Sequence, residues 1–251
     1  MSVLVKNEPK SSGKAAADLL ADAIARSVDE RGECRIVLST GASQFELFNE
    51  LVENAAIPWE KVTMFHLDEY VGLPESHIAS FRKYLKERFV ARVPRLREAV
   101  FVNGEAPDIA AELARLTARL REAPIDVGVI GIGENGHIAF NDPPADFDTR
   151  EAYIVVNLSD TCKTQQVREG WFPDHASVPP QAITMTPWQI MRCRKIISLV
   201  PHAVKAQAVH DTLAAPSPTP AVPASLLKTH DDWTLILDTA SASLCGPELL
   251  K

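Results

Sequence analysis

The sequence predicts an α/β protein: a single-domain, Rossmann-like, doubly wound and mostly parallel sheet with helices on both faces. Three observations lead there. Short apolar runs at 35–39, 62–67, 127–132, 195–200 and 234–238 alternate with stretches of helical periodicity along the whole chain. The run at 127–132 is apolar on both sides, as a strand covered by helices on each face must be. Several of the runs end in glycine, carboxylate, histidine or lysine, and open α/β sheets receive ligands at the carboxyl ends of their strands.

In chain order, residues 11–29 carry Ala15, Leu19, Leu20, Ala23, Ile24 and Val28 at helical spacing, with Ser11 or Ser12 placed to cap the helix. The strand at 35–39 runs into Thr40, Gly41, Ala42, Ser43 and Gln44, and Phe45, Leu47, Phe48 and Leu51 then repeat as a helix. Strand, small-residue turn and helix aim backbone N–H groups and a helix amino terminus at an anion. The turn lacks the lysine of a Walker loop, and an ordinary strand-to-helix connection is the alternative. The next strand, 62–67, ends at Asp68 and Glu69, two carboxylates that need water, a partner or a ligand to receive them. His77, Ser80 and Phe81 lead into a helix at 81–89, followed by a strand at 96–101 and a helix at 107–120.

The strand at 127–132 breaks into Gly133, Glu134, Asn135 and Gly136, and His137 follows at once. Residues 153–158 alternate as a strand, 161–171 are polar and unplaced, and 182–186 precede a helix at 187–191. The strand at 195–200 leads through His202 to Lys205 and a helix at 203–213. Four prolines make 214–223 a loop, too short to divide the chain. Residues 224–230 are expected to form a short helix capped by Ser225, and 234–238 the last strand. Residues 1–251 are therefore taken as one domain.

The 46% hydrophobic and 24% charged fractions are those of a globular protein. A net charge of -7 argues against general affinity for nucleic acid or acidic membranes, so an anionic ligand needs local basic groups or helix termini. The amino terminus lacks the apolar core of a signal peptide, and no run approaches the roughly 20 apolar residues of a membrane span. Cys34, Cys162, Cys193 and Cys245 show neither a CxxC pair nor metal-ligand spacing. A cytoplasmic protein with free thiols is expected, without a metal, and a homo-oligomer is left open.

Four strand ends thus carry chemistry: Thr40 to Ser43, Asp68 with Glu69, Asn135 to Asp142, and His202 to Lys205. A doubly wound sheet would bring them to one edge. Together they supply an anion cradle, a cation, a carboxylate and an imidazole. That set suits a small sugar phosphate and proton transfer of the aldose–ketose type.

Two segments also carry a resemblance. Residues 67–74 (LDEYVGLP), with His77 and Ser80, and residues 131–143 (GIGENGHIAFNDP) resemble the two signatures of glucosamine-6-phosphate deaminases, and the order of the other segments matches along nearly the whole chain. The related 6-phosphogluconolactonases share the fold and a glycine-rich histidine loop. The resemblance implies that glucosamine 6-phosphate is isomerised and deaminated to fructose 6-phosphate and ammonia, without a cofactor. It implies Asp68 as the base moving a proton between C2 and C1, and His137 as the ring-opening histidine. Gly41, Ala42 and Ser43 would bind the phosphate with Lys205 and an arginine from 161–172, for which Arg168 is the nearest candidate, with Lys163 behind it. Three positions depart from the pattern: Asn135 and Asp142 stand where Asp and Glu usually support the histidine, and Ala42 where a second glycine is common. Those departures fit a divergent subgroup with the same reaction or one acting on a different amino- or keto-sugar phosphate, and Asn135 and Asp142 also support a non-catalytic sugar-phosphate-binding regulator; a lactonase in which His137 activates water is the other alternative.

Overall fold

The computed structural model describes residues 1–251. In chain order the elements are β1 (Ser2–Lys6), α1 (Pro9–Arg31), β2 (Cys34–Leu38), α2 (Phe45–Glu53), β3 (Val62–His66), β4 (Asp68–Tyr70), α3 (Phe81–Arg88), β5 (Glu98–Val100), α4 (Ile109–Arg121), β6 (Val127–Val129), β7 (Tyr153–Asn157), α5 (Asp160–Arg168), β8 (Gln181–Met185), α6 (Pro187–Ile190), β9 (Lys195–Val200), α7 (Ala206–Ala214) and β10 (Trp233–Asp238). Seven of the strands form one sheet in the order β1-β10-β9-β6-β2-β3-β5, and every pairing in it is parallel. Beginning at β2, the chain moves outward through β3 to β5, then returns to β6 on the other side of β2. The order reverses at β2 and β6, and a crevice opens above their carboxyl ends.

Period-two alternation divides the core. Ile36, Leu38, Ile197, Leu199 and Ile236 face one layer, packed with Leu20 and Ile24 of α1 and Leu47, Phe48 and Leu51 of α2. Their neighbours Val37, Ile196, Val200, Leu235 and Leu237 face the other, packed with Leu116 and Leu120 of α4 and Val209 and Leu213 of α7. Both faces of the sheet are covered by helices, as the apolar runs predict.

Four features differ from the expectation. β1 has no counterpart among the predicted strands; its edge position gives it a partner, β10, on one side only. The strand expected at 153–158 lies outside the main sheet, in a separate antiparallel sheet of order β4-β8-β7. That sheet also absorbs Asp68 and residues 182–186, for which the sequence predicts no strand. Helix α1 starts at Pro9, earlier than 11; Ser11 sits inside its first turn, where its Oγ accepts from Glu8 N at 3.3 Å. The stretch after the proline loop is a 3-10 helix, Pro223–Thr229, and Ser225 does not cap it but accepts from Thr219 N at 2.9 Å.

Candidate active site

The four chemistry-bearing segments follow β9, β6, β2 and β3, which are consecutive in the sheet. Their carboxyl ends therefore meet at one edge, around a cavity of about 370 Å³ lined by Gly41, Ala42, Ser43, Asp68, Glu134, His137, Arg168 and Lys205 among others. Asn135 and Asp142, named with the catalytic residues, do not line it. They stand behind His137.

The histidine loop is built from its glycine upward. Gly133 N donates to His137 O at 2.9 Å, folding the loop back so that the imidazole lies over the Gly133 Cα. A Cβ at Gly133 would overlap the ring, so only glycine allows this placement. Asn135 Oδ1 accepts from His137 N at 3.1 Å and lies 2.7 Å from His137 Nδ1. Asp142 Oδ1 lies 3.2 Å from the same nitrogen and also accepts from Asn135 Nδ2 at 3.1 Å. Ser159 Oγ, the N-cap of α5, donates to Asp142 Oδ2 at 2.6 Å. Burial raises the Asp142 carboxyl, but the hydrogen bond from His137 and those from Ser159 and Asn135 outweigh it and bring it to about 2. Asp142 is thus a fixed anion behind the ring.

The two carboxylates after β3 have separate fates. Glu69 is fully buried, and its carboxylate accepts from Tyr70 N at 2.9 Å, Ser80 Oγ at 2.9 Å, Phe81 N at 3.2 Å and Arg82 N at 2.8 Å. It closes the amino terminus of α3, where those donors would otherwise go unmet. Burial raises its pKa while these hydrogen bonds oppose the rise. Asp68 has no such support: no protein group donates to its carboxylate, which opens into the cavity. Burial, then the neighbouring Glu69, push it up to about 8. A carboxyl poised near neutrality in a cavity is suited to taking and returning a proton.

The opposite end of the cavity is cationic. Gly41 turns at φ 101°, a value that favours glycine, and a short 3-10 turn, Ala42–Gln44, leads into α2. The first N–H of the turn to find a carbonyl is that of Gln44, on Gly41 O at 3.1 Å, so those of Ala42 and Ser43 remain for an anion. Tyr84 Oη donates to Gly41 O at 2.9 Å, and Gln44 Nε2 to Leu199 O at 3.2 Å, fixing the turn against β9. His202, at φ 81°, donates its N–H to Asp238 Oδ2 at 3.1 Å, and this turn places Lys205 in the wall. Lys205 is buried, and burial lowers its pKa. Arg168 ends α5 and is paired with Glu134, while Lys163, on the same helix, does not line the cavity.

Sequence reasoning missed Ser159 and the reach of Glu134. Ser159 is legible only as the N-cap of a helix over the polar stretch 161–171, to which the sequence assigns no element. No group of three or more His, Cys, Asp or Glu side chains is arranged to hold a metal ion.

A buried carboxylate, a buttressed imidazole and a strand-to-helix turn with a lysine and an arginine nearby meet at the carboxyl edge of a parallel α/β sheet, an arrangement suited to acid–base chemistry on a small anion. The chain belongs to the family described as glucosamine-6-phosphate isomerases/6-phosphogluconolactonase, whose family model matches residues 7–236. A glucosamine-6-phosphate deaminase of Lactobacillus delbrueckii subsp. bulgaricus is 35% identical over 244 residues, 97% of this chain and 99% of its own. One from Listeria monocytogenes is 39% identical over 207 residues, 82% of this chain and 86% of its own. Among solved structures, a monomeric glucosamine-6-phosphate deaminase superposes with a TM-score of 0.87 at 29% identity, covering 97% of this chain and all (100%) of that one. A 6-phosphogluconolactonase from Trypanosoma brucei superposes with a TM-score of 0.79 at 19% identity, covering 98% of each chain, a likeness of fold.

Proposed function

We propose that this protein is a glucosamine-6-phosphate deaminase, converting glucosamine 6-phosphate and water to fructose 6-phosphate and ammonia. The observation that carries it is the meeting in one cavity of a free carboxyl, Asp68, and an oriented imidazole, His137. The full-length relatives named as this deaminase support the choice of substrate.

The phosphate sits against Ala42 and Ser43 N–H, with Lys205 and Arg168 as counter-charges. Asn135 Oδ1 and Asp142 Oδ1 both face His137 Nδ1 and only accept, so the proton of the neutral ring resides on Nδ1. Nε2, on the opposite edge, is then free to take the O1 proton and pass it to the ring oxygen as the C1–O5 bond breaks. Asp68 removes the C2 proton of the open aldehyde while the C2 ammonium cedes a proton to O1, giving an enolamine, and Asp68 then returns its proton to C1. The imine left at C2 adds water and expels ammonia. These steps are proton transfers and a hydration, and none requires a cofactor. With four free cysteines, as a reducing compartment keeps them, we place the reaction in the cytoplasm.

The test is ammonia release from glucosamine 6-phosphate by the purified protein, run beside hydrolysis of 6-phosphogluconolactone. Turnover of the amino sugar that Asp68→Asn abolishes is expected. Turnover of the lactone alone would assign the hydrolase branch, and binding without turnover would assign a regulator.

A further inference from the structure

Glu134 has no part in the steps above, yet it occupies the phosphate end of the cavity. It follows the strand that delivers His137, but its carboxylate is turned to Arg168 and forms an ion pair with it. Glu134 is 19% exposed and Arg168 56%, and both line the cavity. Lys205 lies in the same field: burial lowers its pKa most, and Glu134 opposes that more than any other group. Lys205 itself has no hydrogen-bonding partner, and Glu134 makes its one ion pair with Arg168.

We propose that Glu134 is an internal stand-in for the substrate's phosphate, which must displace it from Arg168 to bind. This rests on the reading that Arg168 and Lys205 receive the phosphate. A carboxylate offers one negative charge and two oxygens, whereas a phosphate monoester carries close to two charges and three acceptor oxygens. The dianion therefore wins the exchange, and uncharged or singly charged sugars do not. Glu134 selects for the phosphorylated substrate by excluding weaker anions, at some loss of affinity for the correct one.

The experiment measures competitive inhibition by inorganic phosphate, and KM for glucosamine 6-phosphate, in the wild type, Glu134→Gln, Glu134→Asp, Arg168→Gln and the E134Q/R168Q double variant. Glu134→Gln is expected to bind inorganic phosphate roughly fivefold tighter, the scale of a partly exposed ion pair, and to lower KM. Glu134→Asp, which keeps the charge, should stay near the wild type. The gain should vanish when Arg168 is already glutamine. Phosphate inhibition that is unchanged or weaker in Glu134→Gln would overturn the proposal, since Glu134 would then support Arg168 instead of competing for it. If inorganic phosphate does not compete in the wild type and Lys205→Ala leaves KM unchanged, the phosphate site itself is misplaced, and the proposal falls with it for that separate reason.

Discussion

Asn135 Oδ1 lies 2.7 Å from Nδ1 of His137 and also accepts the backbone N–H of the same residue at 3.1 Å. The backbone bond fixes which end of the amide faces the ring, so an uncharged acceptor, and not a second carboxylate, orients the imidazole. The negative charge is supplied by Asp142, whose Oδ1 lies 3.2 Å from the same nitrogen.

Asn135→Ala is expected to lower kcat roughly tenfold, the effect of losing one orienting hydrogen bond of about 1.4 kcal/mol. KM should change little, because the residue does not line the cavity. Steady-state kinetics on glucosamine 6-phosphate check both halves.

Asp68→Asn removes the base, and kcat should fall by about 10²–10⁴-fold, the usual contribution of a positioned proton-transfer group. The pH dependence has a defined sign. The folded-state pKa is raised from 3.8 to about 8, so folding favours the protonated carboxyl. Stability is fully present below the ordinary value and lost as pH rises through about 8. Asp68→Asn should therefore match the wild type in Tm near pH 4 and exceed it increasingly toward pH 8. In the wild type, kcat/KM should climb through a limb displaced upward from the ordinary carboxylate range.

Asp142→Asn should behave in the opposite way. Its folded-state pKa is depressed to about 2, so its contribution to stability is present above the ordinary value of 3.8 and lost as pH falls through about 2. The variant should be less stable than the wild type at neutral pH, with the difference closing in acid. Thermal melts across that range provide the check.

Gly133→Ala should reduce kcat by at least tenfold while leaving the sheet intact, because the added methyl and the His137 ring claim the same space. Unchanged far-ultraviolet circular dichroism with lost turnover is the expected result. Normal turnover would show that the ring has another seat.

Glu69→Ala should cost about 3–5 kcal/mol, the range for breaking a buried ion pair, since it strips four donors and Arg82 of their common partner. Urea unfolding measures it.

The parallel sheet is legible in the sequence because its strands are buried on both faces, and β2, β3, β9 and β10 therefore read as apolar runs. The site is legible because Asp68, His137 and Lys205 each stand a few residues past the end of such a run, where a polar or charged group is costly unless a partner or ligand receives it. Asp68 and Glu69 look alike in sequence, since what distinguishes them is a helix amino terminus that folding brings to Glu69 alone. Helix α5 is hidden as well, because only Cys162 and Gln166 are buried on it, too few to print a helical period. The pairing of Glu134 with Arg168 spans 34 positions in the chain and has no local signature.

The consecutive order β9, β6, β2, β3 has a metric consequence. Neighbouring strands keep a spacing of about 4.8 Å, so three gaps separate the strand leading to Lys205 from the one leading to Asp68 by roughly 14 Å. The backbone ladder acts as a calliper, setting the distance between the jaw that grips one end of a ligand and the jaw that works on the other. A phosphorylated amino sugar one carbon shorter should seat its phosphate and hold its reactive carbon short of Asp68, occupying the site without turning over.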